Sequence, residues 1–170
     1  MSYSLGTKSW IARNNGKLGL RDRFTMIYQG VKAKVILAQE LNSGVKLASM
    51  SIDEILPPDT QICLEAMQIS QQASEPFLFN HCLRAYFWAR LLNDGHAFDN
   101  EATFTAIMLH DLGLTKHYCN KSKTQECFTV PAARVAEKLA AKYDWSDNRS
   151  NVVSNAITLH LNITIDNNVL

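Results

Sequence analysis

An all-α fold, a bundle of about six or seven helices, is what the chain predicts, and three observations predict it. The 170 residues contain only seven glycines and four prolines, while 46% are hydrophobic. A chain so poor in breakers and so rich in apolar residues favours helices over a turn-rich β fold. Apolar residues recur at spacings of three and four in segment after segment, the period of a helix with one buried face. Strand-like alternation never persists beyond a few residues. The length fits one domain with a single core.

The elements follow in order. Residues 1–25 are polar, with Gly6, Gly16, Gly19 and a basic stretch from Lys17 to Arg23, and read as solvated surface. From Asp22 to Leu41, Phe24, Ile27, Val31, Val35 and Ala38 repeat at helical spacing, and Asn42-Ser43-Gly44 stops the pattern. Pro57-Pro58-Asp59-Thr60 punctuates the chain, with Asp59 or Thr60 as cap of a helix over 62–72. Ser74-Glu75-Pro76 interrupts, and a helix over 77–93 ends at Asp94-Gly95. The next starts near Asp99 or Asn100, buries Phe104, Ile107 and Met108, and is expected to end at Gly113. Residues 115–125 read as a lysine-rich loop. Pro131 suits the first turn of a helix carrying Val135, Ala136, Leu139 and Tyr143 on one face. A last helix runs from Asp147 to His160, with Val152, Val153, Ala156 and Ile157 inward. Residues 1–50 form a helical extension and 51–170 the main domain.

Charge and cysteines narrow the function classes. A net charge of +1 gives no excess that points to nucleic acid or an anionic membrane. Cys63, Cys82, Cys119 and Cys127 form no C-x-x-C and no zinc-finger spacing, and with no signal-like N-terminus they read as reduced thiols in a cytoplasmic protein. No nucleophile triad, P-loop or dinucleotide fingerprint is present.

The chemistry concentrates in histidine. Of the five histidines, His81, His110 and His160 lie inside apolar helical stretches. A buried imidazole needs a polar partner, and one partner that serves all three is a metal ion. The adjacent pair His110-Asp111 adds a carboxylate where the chain starts to turn. A nitrogen and oxygen donor set suits zinc, iron(II), manganese or cobalt better than calcium. Few ligands on a helical frame leave open positions, the catalytic pattern in which bound water is acidified into a nucleophile.

Asn80-His81, then His110-Asp111, then His160, on an all-α chain, resembles the HD-domain metallohydrolase superfamily. The flanks Pro58-Asp59-Thr60, Phe79 to Tyr86, Leu109 to Thr115, Cys127-Phe128 and Ala156 to His160 are similar to its cyanamide-hydratase-like branch. The likeness covers roughly residues 52–163 and implies an HD-domain helical bundle. It implies that His81, His110 and Asp111 are ligands of one divalent metal ion, zinc foremost, with Asp111 also acting in activation of the metal's water. It implies that His160 lines the site as substrate contact or supporting donor. The family has a further Asp ligand on a later helix. Asp166 sits too close to His160 for that part, so the chain is expected to be C-terminally truncated. A bundle so shortened leaves an apolar face that another copy can cover, hence an expected homo-oligomer. Thr129 and Pro131 stand where the branch often has an acid and a glycine.

Other candidates surround this set. Asn80 orients the first ligand or meets substrate, or is a plain surface amide. Arg84 lies one helical turn beyond His81 on its face and, with Lys116, is a cation available to an anionic substrate or to surface ion pairs. Thr115 is a substrate donor or a loop cap. His96 and His117 read as exposed, and Tyr86, Phe87 and Trp88 as core. The resulting function is a metal-dependent hydrolase or hydratase of a small molecule, with cyanamide or a similar nitrile as substrate. A phosphohydrolase acting on a nucleotide or phosphomonoester, and a decayed domain without catalysis, are the alternatives.

Overall fold

The computed structural model describes residues 5–14, 16–42, 51–93, 98–119 and 127–162. Among them are seven α-helices and no strand: α1 (Lys8–Asn14), α2 (Leu20–Asn42), α3 (Gln61–Ala73), α4 (Pro76–Leu91), α5 (Asn100–Leu109), α6 (Thr129–Lys142) and α7 (Asp147–Leu159). Short 3-10 turns cover Ile52–Glu54 and Leu112–Leu114. The all-α class predicted from the sequence is the observed one. No helix among the described residues is long and apolar enough to cross a membrane.

The bundle is organised around α5, which packs against α3, α4, α6 and α7. Its sequence explains why. Phe104, Met108 and Leu109 are buried together with Ala102, Thr105 and Ala106, so the helix is apolar nearly all round. Burying a side chain such as Met108 contributes about 2 kcal/mol. Tyr86 of α4 meets Phe104 edge to face, ring centroids 4.9 Å apart, and its hydroxyl donates to Asn100 Oδ1 at 2.6 Å, so the polar tip is satisfied. Asp99 caps α5, its side chain accepting from the Ala102 N–H at 2.9 Å. It also pairs with Arg149 of α7. On α6 the buried residues are largely alanine (Ala132, Ala133, Ala136, Ala140), which lets α7 approach closely. The turn between them ends α6 with Asp144 at φ +53, the Trp145 N–H reaching the Ala140 carbonyl at 3.0 Å.

Several expectations need correction. The helix before the His-Asp pair stops at Leu109, short of Gly113. Gly113 lies in the 3-10 turn instead, and the reason for glycine is space: an added Cβ would stand 1.8 Å from the Phe128 carbonyl oxygen. Thr60 precedes α3 without a side-chain cap. Trp88 and Val152 face outward rather than into the core. The stripe of α2 is a larger surprise: Phe24, Ile27, Val31 and Val35 are all exposed. Asp94-Gly95, His96, residues 43–50 and 120–126, and Asp166 lie outside the described residues.

Candidate metal centre

Three elements bring the predicted residues together. His81 rides on the outer face of α4, with its side chain half in water (51% exposed). His110 stands one residue past the end of α5, and Asp111 follows it into the 3-10 turn. His160 stands one residue past the end of α7. All three histidines point Nε2 at the buried carboxylate of Asp111. The distances are 3.2 Å from His110 and 3.6 Å from His81 to Oδ2, and 3.6 Å from His160 to Oδ1.

The two buried histidines are held identically. The last carbonyls of a helix have no partner within it. His110 Nδ1 lies 2.6 Å from the Ile107 carbonyl oxygen, and His160 Nδ1 lies 2.6 Å from that of Ile157. A carbonyl only accepts, so Nδ1 carries the proton and donates it. In the neutral rings the lone pair is then on Nε2, aimed at the common centre. Two ligand atoms on one ion with bonds of about 2.1 Å stand roughly 3.4 Å apart in a tetrahedral site, close to the 3.2 and 3.6 Å from His110 and His81 to the Asp111 carboxylate. One donor atom each from His81, His110 and Asp111 lie within 4.8 Å of one another. The donor set, the spacing and the ring orientations all fit a divalent ion.

The electrostatics show what a proton does in the same place. Burial pushes the His110 imidazolium down, but the Asp111 carboxylate, the Cys82 thiol and the Ile107 carbonyl outweigh it and raise the group to about 10. Burial works against the Asp111 carboxylate, yet the hydrogen bond from His110 and the neighbouring imidazoles hold it below the ordinary range. Burial is also the largest influence on His160 and, with the charge of His110, keeps it below its usual value against the pull of the Ile157 carbonyl. A cation or a proton at this point neutralises the same buried charge.

The remaining candidates divide. Asn80 and Arg84 are exposed on α4, near His81. Thr115 is buried and its hydroxyl donates to the Leu112 carbonyl at 2.7 Å, the loop-capping arrangement. Lys116 and His117 are exposed. Two partners are not apparent from the sequence pattern alone. Phe128 sets its ring against His160, centroids 5.8 Å apart. The orienting carbonyls are signalled by a repeated ending, Ile107-Met108-Leu109-His110 and Ile157-Thr158-Leu159-His160, in which the histidine follows an isoleucine by three residues at a helix end.

No curated protein and no solved structure matches the chain. The model of the HD domain family matches residues 78–167, a span that begins on α4 before His81 and includes His110, Asp111 and His160. With its all-α bundle, its His-Asp pair at the end of a central helix and more than half its length matched, this chain belongs to the HD-domain family, whose members are generally metal-dependent hydrolases.

Proposed function

We propose that the protein is a metal-dependent hydratase or hydrolase of a small uncharged electrophile, with His81, His110 and Asp111 as the metal ligands. The observation that carries this reading is the convergence of three Nε2 atoms on one buried carboxylate, with two of the rings oriented by helix-end carbonyls. A divalent ion bound there, zinc foremost, supplies Lewis acidity and a water acidified to near neutral pH. The chain's own residues supply the rest. Asp111 brings the charge that an incoming cation needs. His160 and Asn80 border the centre as substrate contacts, and the half-exposed His81 leaves the approach open from the α4 side. Thr115 can offer a substrate only its oxygen lone pairs.

The substrate class follows from the scarcity of cations. A dedicated phosphate site gathers several cationic groups. Arg84, one turn beyond His81, and Lys116, just after the His-Asp turn, both stand in solvent. That favours a nitrile-like carbon over phosphorus. Cyanamide is the proposed substrate, in line with the resemblance to the cyanamide-hydratase-like branch: one water adds across the C≡N bond and the product is urea. The test starts with elemental analysis of purified protein for zinc, iron, manganese and cobalt per polypeptide, followed by a cyanamide-to-urea assay. The expected result is near one equivalent of metal and urea formation, both lost in His110→Ala and Asp111→Ala. Full activity in either variant would sink the ligand assignment. Metal without urea, together with release of phosphate from a phosphomonoester, would favour the phosphohydrolase reading.

A further inference from the structure

Helix α2 is built inside out. At 3.6 residues per turn, Leu20, Phe24, Ile27, Tyr28, Val31 and Val35 share one face, and their exposures run from 54% to 75%. The opposite face is the half-buried one: Asp22, Met26, Gln29, Gly30 and Ala33. On that side Trp10 Nε1 donates to Asp22 Oδ1 at 3.4 Å, and the Gln29 amide oxygen is shielded from solvent without a hydrogen-bond partner. The apolar side is thus the one left in water.

Charge decides what that apolar face fits. Arg21 and Lys32 border it on one side, Arg23 and Lys34 on the other, all four exposed. Among the described residues none of the four has a carboxylate partner, and Asp22 lies on the opposite face. We infer that α2 docks its apolar face onto the surface of a bilayer that contains anionic phospholipid. A second copy of the chain is the obvious rival, but in either helix direction it would set Lys and Arg against Lys and Arg along both edges of the contact. A bilayer offers negative charge on both sides of a helix lying in its plane. Long cationic side chains reach the headgroups while Phe and Leu enter the acyl boundary. From Leu20 to Val35 the face is a ridge about 23 Å long, the shape a flat surface accepts. The net charge of +1 conceals this because it averages over the whole chain.

The test is sedimentation of the full chain with vesicles of phosphatidylcholine carrying about one third phosphatidylserine, against phosphatidylcholine alone. The expected result is binding to the anionic vesicles only, weakened by salt, and roughly five-fold weaker for each cation removed in Lys32→Gln and Lys34→Gln. Phe24→Ser with Val31→Ser should abolish it with helix content unchanged by circular dichroism, since both positions are exposed. If that pair misfolds, the two surface lysine variants still decide the matter. No binding to the anionic vesicles overturns the inference. So does binding that neither phosphatidylserine nor the lysines affect. A dimer in solution that Phe24→Ser with Val31→Ser disperses would assign the face to a second copy instead.

Discussion

The last turns of α5 and α7 carry the same ending, Ile-x-Leu-His, and hold their histidines by the same bond to the carbonyl three residues back, 2.6 Å in both. Yet the two rings are pushed in opposite directions. His110 is raised to about 10, while His160 is held below its ordinary value. Both are mostly buried, so burial does not separate them. The other nitrogen does. His110 Nε2 lies 3.2 Å from Asp111 and takes the carboxylate's proton-binding power, whereas His160 Nε2 lies 3.6 Å away and faces the charge of His110, ring centroids 4.9 Å apart. A helix end fixes which nitrogen carries the proton; the neighbour at the far nitrogen fixes whether the ring is charged.

The strongest way to break this contrast is to remove the carboxylate. Asp111→Asn should take the bound metal from about one equivalent to near zero and lower His110 from about 10, because both contributions of the Asp111 carboxylate to that rise are removed. Elemental analysis and an imidazole NMR titration check the two halves. A His110 that still titrates near 10 in that variant would show that Asp111 is not the cause.

Gly113→Ala tests the α7 side. The new Cβ would meet backbone, the Phe128 carbonyl, at 1.8 Å, so the two segments must part. A loss of about 3 kcal/mol in urea unfolding is expected. The displacement can reach His160 through the Phe128 ring and the His-Asp pair through the 3-10 turn that Gly113 shares with Asp111. An unchanged unfolding midpoint would mean that the seam yields freely.

The pH profile of the metal-free protein sharpens the contrast further, with a slope of at most about 1.4 kcal/mol per pH unit for each proton. His110 is raised on folding, so its contribution is full below pH 6.5 and is lost as the pH climbs through 10. His160 is lowered, so its contribution is present above 6.5 and is lost as the pH falls through its folded value. Denaturant melts should therefore show an alkaline decline that His110→Gln removes and His160→Gln leaves in place.

Much of this is legible in the chain. The helical period locates α3, α4, α6 and α7 to within a few residues, and His110, Asp111 and His160 stand out because polar groups in apolar stretches need partners, whereas His81, drawn in by the same rule, is half exposed. The end of α5 is misplaced by the sequence because Gly113 resembles a helix stop, while its true constraint is a contact with Phe128, distant in sequence. Trp88 and α2 fail for a related reason. Periodicity shows that a helix has an apolar face, but not which way that face turns. For α2 the apolar stripe faces solvent, and on its other side Trp10 reaches Asp22, a contact that spacing does not encode.

The half-exposed His81 gives the centre an uneven stiffness. His110 and His160 are clamped by backbone, and Asp111 is buried between them. Among the described residues no carbonyl clamps His81 in the same way, and an exposed side chain samples its rotamers in picoseconds to nanoseconds. The centre therefore resembles a caliper with one fixed jaw and one sliding jaw. With His81 as the proposed third ligand, a sliding jaw would adjust to ions of different radius, so weak discrimination among first-row metals is expected. Which ion such a centre takes up would then reflect what its surroundings supply more than what its ligands prefer.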